Sequence, residues 1–152
     1  MQKLIMKIKK VDINLLEQIY EIEQEVYNEP WNYNFLEKQI NSPNCFSYGL
    51  MDRDFLIGFI MIHIFQYMGY AHIINFAVRK KYQGLGYGKN ILKMTHMLLK
   101  FKNISTIYLE VRTKNRKAIN LYKKYNYDIR KKLKKFYKND DDAFLMSLSL
   151  EK

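Results

Sequence analysis

Two stretches of this 152-residue chain combine residue types at spacings that suit chemistry. The first is RKKYQGLGYGKN, residues 79–90, which holds Gly84, Gly86 and Gly88 among basic side chains. The apolar stretch YAHIINFAV, residues 70–78, runs into it, and a helical pattern leaves it. A strand that passes through a glycine turn into a helix suits phosphate binding. The first helical N–H groups have no intrahelical acceptor, the helix dipole adds positive potential, and glycine lets an anion approach the backbone. Arg79, Lys80, Lys81 and Lys89 add charge. The second stretch is YLEVRTKNRKAINLYKKYNY, residues 108–127. It offers a carboxylate, Glu110, that can accept a proton and a phenol, Tyr122, that can give one.

Spacing removes the familiar phosphate loops. A P-loop needs four residues between its first glycine and Gly-Lys, then a hydroxyl residue. Counting back from Gly88-Lys89 puts Gln83 at the glycine position, and Asn90 replaces the hydroxyl. The dinucleotide fingerprint needs G-x-G-x-x-G. Gly84, Gly86 and Gly88 give G-x-G-x-G instead, which also fails the kinase loop. What is left is Q-x-x-G-x-G, formed by Gln83, Gly86 and Gly88 just after Ala77-Val78. A tight turn that merely needs glycine would have the same composition.

Q-x-x-G-x-G resembles the acetyl-coenzyme A loop of the GNAT superfamily of N-acetyltransferases. The second stretch resembles the same superfamily's protein N-terminal acetyltransferases, most nearly the ribosomal-protein-alanine (RimI) type. The residues that carry this are Leu109-Glu110-Val111-Arg112, Asn115, Ala118-Ile119 and Leu121-Tyr122. Further on come Phe136-Tyr137, Asp142-Ala143 and Met146. Near the start, Ile22-Glu23-Gln24 and Pro30-Trp31 match as well. The resemblance covers nearly the whole chain, in order. Two positions depart from the pattern. Gly84 stands where a basic or polar residue is usual, and Tyr125-Asn126-Tyr127 replaces Leu-Gly-Phe. Asparagine is the best non-glycine residue for a left-handed helix end.

The resemblance implies a GNAT fold, a mixed α/β sheet of about seven mostly antiparallel strands with about four helices. It implies acetyl-CoA as co-substrate and direct transfer to the α-amine of a protein or peptide N-terminus, with a ribosomal protein among the candidate partners. Glu110 would be the general base and Tyr122 the general acid. The backbone of Phe76, Ala77 and Val78 would pair with the pantetheine arm. Gln83, Gly84, Leu85, Gly86, Tyr87, Gly88 and Lys89 would hold the pyrophosphate, and Asn115 would touch the cofactor. Trp31, His72 and Tyr137 would contact substrate, with His72 also a candidate second base. An α-amine suits a carboxylate base, because its pKa of about 7.7–8.0 lies well below the value of about 10.4 for lysine.

Residue-level readings stand beside these implications. Strand alternation puts Ile107, Leu109 and Val111 on one face and Tyr108, Glu110 and Arg112 on the other. Spacing alone makes Glu110 a solvent-facing glutamate paired with a lysine. Tyr122 continues an apolar stripe with Ala118 and Ile119, so its ring can be core while its hydroxyl faces a cleft. A lone strand histidine such as His72 is ordinarily structural, and Tyr137 could simply pack. His63 and His96 show no partner pattern. With Cys45 they form no metal-ligand spacing, so no metal is expected. Two other functions stay open: acetylation of a small amine, polyamine or lysine side chain, and a non-catalytic basic module that docks on ribosomes or RNA.

The elements that must position these groups follow from periodicity. Residues 3–9 predict a strand, and Asp12 or Asn14 caps a helix through about Tyr27. A short helix spans 34–40, and strands are expected at 45–51, 55–66 and 70–78. A helix from Gly86 to Phe101, a strand at 104–111, and a helix capped by Asn115 and ended by Asn126 come next. Strands near 127–137 and 143–150 close the chain. With no internal repeat or linker, residues 1–152 read as one N-acetyltransferase domain.

Hydrophobic residues at 48% and aromatics at 15% exclude disorder. No apolar run reaches membrane-spanning length, and MQKLIMKIKK lacks a signal-peptide layout. One cysteine fits a reducing, cytoplasmic setting with no membrane partner. The net charge of +11 attracts polyanions. With Lys, Asn, Ile and Tyr abundant throughout, the expectation is solvated background charge. RKKLKKFYK, residues 130–138, would put lysines on both faces of an edge hairpin, which argues against direct nucleic-acid binding.

Overall fold

A computed structural model describes residues 6–150. Strand β1 (Met6–Lys10) leads to a 3-10 turn (Ile13–Leu15) and helix α1 (Leu16–Val26), then α2 (Tyr33–Asn41). Next come β2 (Cys45–Asp52), β3 (Phe55–Phe65) and β4 (Tyr70–Val78). Helix α3 (Tyr87–Phe101), β5 (Thr106–Arg112), α4 (Arg116–Lys124), β6 (Asp128–Leu133) and β7 (Ala143–Ser149) complete the chain. The expected element order holds throughout. Of the first predicted strand, residues 3–5 lie outside the described residues. Four α-helices accompany one seven-stranded sheet in the order β1-β2-β3-β4-β5-β7-β6. β4 and β5 run parallel, whereas the β1/β2, β2/β3, β5/β7 and β6/β7 pairs are antiparallel. This is the mixed α/β architecture expected.

The chain falls into two compact units. Among the described residues, one comprises 6–64 and 75–95, the other 65–74 and 96–150. In the first, β3 reads LIGFIMI because both its faces are covered. Leu56, Ile57, Phe59, Ile60, Met61 and Ile62 are all fully buried. Helix α1 buries Leu16, Ile19 and Ile22, and Glu23 lies in the same stripe. Asp12 is the cap. Its carboxylate accepts from the Asn14 N–H at 2.9 Å, and the first turn is 3-10 rather than α.

In the second unit, Ile107, Leu109 and Val111 are buried and Tyr108, Glu110 and Arg112 are not, so β5 alternates as predicted. Asn115 caps α4, its Oδ1 accepting from the Ala118 N–H at 3.1 Å. Asn126 ends that helix at φ 68°, the left-handed geometry its sequence position implies. β6 stops four residues earlier than expected. Lys135 turns to φ 51° and donates its N–H to Asp142, which pulls the chain out of the ladder.

Candidate active site

The second unit brings together Glu110, His72, Tyr122, Tyr137 and Arg112. β4 and β5 pair in parallel with His72 opposite Tyr108, so His72, Tyr108 and Glu110 share a face. On that face His72 Nε2 lies 2.5 Å from Glu110 Oε2, with both side chains part-exposed. An ionised carboxylate can only accept, so the imidazole is the donor.

Tyr137 stacks under Arg112, whose guanidinium carbon sits 3.8 Å from the ring centroid. Arg112 is held in turn by Asp141 Oδ2 at 2.9 Å and Asn139 Oδ1 at 3.0 Å. Asp141 also binds Lys114 at 2.8 Å. That contact, then Asn139, holds its carboxyl below the usual range. Burial pushes the Tyr137 phenol up; Arg112 opposes this, while Glu110 and Asp141 add to it. Tyr137 therefore lies within electrostatic reach of Glu110, and Tyr122 within reach of Tyr137.

Tyr122 is buried, and that burial pushes its phenol far above the ordinary value. Its ring packs 5.5 Å from Tyr127. Tyr127 Oη and His96 Nε2 share a hydrogen bond at 2.9 Å, and burial lowers the His96 imidazole to about 4, so the ring is neutral. His63 and His96, which show no partner pattern in sequence, thus each have a partner in the fold. His63 bonds Gln39 at 2.9 Å, and both partners come from far along the chain.

The first unit holds the glycine loop. Residues Lys80–Tyr82 form a 3-10 turn, and the chain then passes through Gly84 and Gly86, at φ 76° and 90°, into α3. Asn90 donates its N–H to Gly86 O, but the amides of residues 84–89 find no acceptor among the described residues. Arg79 is a correction to the charge assigned there. Its guanidinium donates to Leu56 O at 2.6 Å and Glu21 at 3.0 Å, with Glu25 at 3.8 Å, and it is buried. Internal acceptors therefore use its charge. Gln83 donates to Val78 O at 2.9 Å, and Tyr27 Oη donates to Phe76 O at 2.6 Å, so two carbonyls expected to face cofactor already hold one bond each. Trp31 sits after α1 with its N–H on Glu23 Oε2 at 3.0 Å and its ring edge-on to Phe35.

The model of the acetyltransferase (GNAT) family matches residues 16–127. An uncharacterized N-acetyltransferase of Methanocaldococcus jannaschii is 34% identical over 93% of this chain and 90% of its own length. A ribosomal-protein-alanine N-acetyltransferase of Haemophilus influenzae is 33% identical over 82% of this chain and 84% of its own. Among solved structures, the ribosomal-protein-alanine N-acetyltransferase of Escherichia coli superposes with a TM-score of 0.90 at 23% identity, covering 97% and 96% of the two chains. This chain belongs to the GNAT acetyltransferase family. It is an acetyl-CoA-dependent N-acetyltransferase.

The acetyltransferase has a backbone that suits acetyl-CoA. Unpaired amides at residues 84–89 open a helix whose first turn contains no acidic residue, which favours an anion. Asn115 keeps its side-chain NH2 without a partner among the described residues while its oxygen caps α4. Nothing lies within 4 Å of a Cβ built on Gly86, so substitution there strains the backbone without filling space. Gly86→Val should cost about 1–2 kcal/mol of loop conformation. The expected result is acetyl-CoA affinity weaker by about tenfold in calorimetry, with the unliganded fold retained.

Three features of the acetyltransferase escaped sequence reading. The first is Arg112, which pins Tyr137. The second is the Tyr27 tie to Phe76. The third is Glu23, fully buried, whose carboxylate accepts from both Asn75 Nδ2 and Trp31 N–H. Glu23 did leave a signal, an acidic residue at i+7 of the Leu16–Ile19 stripe. Asn75, polar within an apolar strand, left the other.

Proposed function

We propose that this acetyltransferase transfers acetyl from acetyl-CoA to the α-amine of a protein N-terminus. The observation that carries the reading is the His72–Glu110 pair within electrostatic reach of Tyr137, which in turn reaches Tyr122, in a chain whose relatives include enzymes named for N-terminal acetylation. Acetyl-CoA supplies an activated acyl thioester. Glu110, oriented by His72, takes the proton that the attacking ammonium must lose. The neutral amine then attacks, the N–C bond forms as the C–S bond breaks, Tyr122 gives its phenolic proton to the departing thiolate, and the surplus proton on the new amide nitrogen restores the phenol. A phenol raised by burial stays protonated at neutral pH, as this role needs. Amides of Gly84 to Lys89, with Gln83 and Asn115, serve the cofactor, alongside the backbone of Phe76, Ala77 and Val78. Trp31 and Tyr137 serve the peptide.

The family match runs through residues of both compact units, which supports residues 1–152 acting as one domain. A ribosomal protein is the substrate that the Haemophilus relative's name suggests. The cytoplasm, where new N-termini and acetyl-CoA meet, is the compartment proposed. No helix among the described residues is long and apolar enough to cross a membrane.

The deciding experiment measures thiol release from acetyl-CoA with three substrate sets: peptides with free N-termini, N-blocked peptides containing lysine, and polyamines. Turnover on the first set alone is expected; turnover confined to either other set overturns the assignment. In the same assay Tyr122→Phe should lower kcat about 10²-fold with acetyl-CoA affinity kept. An unchanged kcat removes the phenol from the reaction.

A further inference from the structure

We propose that α4, β6 and the turn after β6 form a docking surface for the phosphate backbone of RNA, separate from the transfer chemistry. Residues 112–152 carry eight of the eleven net positive charges. From Arg112 to Lys138 there are twelve basic residues and one acidic residue, Asp128. The acids of the following turn neutralise part of this. Asp141 binds Arg112 and Lys114, and Asp142 binds Lys132. Eight exposed cations make no close ion pair among the described residues, although Lys134 is near enough to Asp142 to help lower its carboxyl. Four are on α4 (Arg116, Lys117, Lys123 and Lys124), and four lie beyond it (Lys131, Lys134, Lys135 and Lys138). A shallow cleft lined by Lys123, Asn126, Asp128 and Ile129 joins the end of the helix to the start of the strand.

Local roles account for only some of these charges. Lys123 and Lys124 complement the negative end of the α4 dipole, and lysines on β6 protect a sheet edge from pairing. Arg116 and Lys117 do the opposite. They crowd the positive end of α4, whose first turn has no acid. Charge placed against its own helix dipole costs stability, which an external polyanion would return.

The surface holds few apolar anchors; Ile129 and Phe136 are its only exposed large hydrophobic residues. That disfavours a membrane or an aromatic-centred protein interface. Seven of the eight cations are lysines, point charges on flexible stems that suit phosphates without base readout. Composition and strand alternation had made this charge solvated background; the structure leaves these eight cations exposed and without a close ion pair among the described residues.

The test measures anisotropy of a fluorescent 20-nucleotide mixed-sequence RNA with the full chain at several salt concentrations. Lys124→Gln/Lys131→Gln/Lys134→Gln is compared with a control losing equal charge elsewhere, Lys7→Gln/Lys93→Gln/Lys100→Gln. The wild type should bind with affinity that falls steeply as salt rises. The first variant should bind at least tenfold more weakly, its log–log salt slope shallower by about 2, since each lost phosphate contact removes about 0.7. The control should stay within twofold. Peptide acetylation should not change in either variant, and each should lose only a few degrees of melting temperature, since Lys124 and Lys100 each lie in the last turn of a helix. Absent RNA binding, equal loss in both variants, or equally strong competition by polyglutamate or anionic vesicles overturns the proposal.

Discussion

Glu110→Gln is expected to lower kcat by about 10²–10³-fold near neutral pH while acetyl-CoA affinity stays within about twofold. Glutamine keeps the length of Glu110 and an oxygen that His72 can still bond at the observed position. The variant therefore loses proton acceptance and little else. The loss has a pH signature. Without a base, only amine that arrives neutral reacts, and an α-amine with a pKa of about 7.7–8.0 is mostly charged below that range. The variant's rate should climb nearly tenfold per pH unit up to about pH 8 and then level, so the deficit narrows as pH rises. Stopped-flow thiol detection from pH 6 to 9 measures this. A kcat within threefold of wild type across the range would leave Glu110 a bystander.

The second large effect falls on stability. Glu23→Ala removes the shared acceptor of Asn75 Nδ2 and Trp31 N–H from a site that is 1% exposed. Each donor left unsatisfied costs about 1–3 kcal/mol, so urea unfolding should show a loss of about 2–6 kcal/mol. Glu23→Gln offers one accepting oxygen and an NH2 that meets the second donor, for a loss of about 1–3 kcal/mol.

Burial raises the Glu23 carboxyl above its ordinary value, and its two hydrogen bonds only partly offset this. The native chain thus holds this proton more tightly than the unfolded chain. The resulting stabilisation is fully present below the unfolded value and is lost as pH rises through the native one. Glu23→Gln cannot titrate. The stability gap between wild type and Glu23→Gln should therefore be larger at pH 4 than at pH 7. A gap that stays constant or widens with pH contradicts this.

Local signals made much of the fold legible. Asn115 announced a cap because Asn at that spot satisfies a helical N–H, and Asn126 announced a stop because it tolerates positive φ. β5 showed its faces through strict alternation, which correctly put Glu110 beside Tyr108 and Arg112. The family motifs supplied the chemistry, and the glycine loop supplied free amides.

Most of the unread features share one cause, a partner distant in sequence. Arg79 sits among phosphate-loop cations, yet Glu21 and Glu25, over fifty residues earlier, take its charge. His96 meets Tyr127 across thirty-one positions, and Glu23 meets Asn75 across fifty-two. The Lys135 turn shortened β6 through a bond to Asp142 that strand propensity does not register.

The neighbouring ties from Glu23 to Asn75 and from Tyr27 to Phe76 have a thermodynamic consequence. They lash the segment between the first two helices to the strand that leads into the glycine loop. Whatever firms that strand must firm the segment bearing Trp31, and by reciprocity the reverse holds with equal energy. Ligands held by these two segments bind cooperatively, each lowering the entropy still to be lost by the other, whichever arrives first.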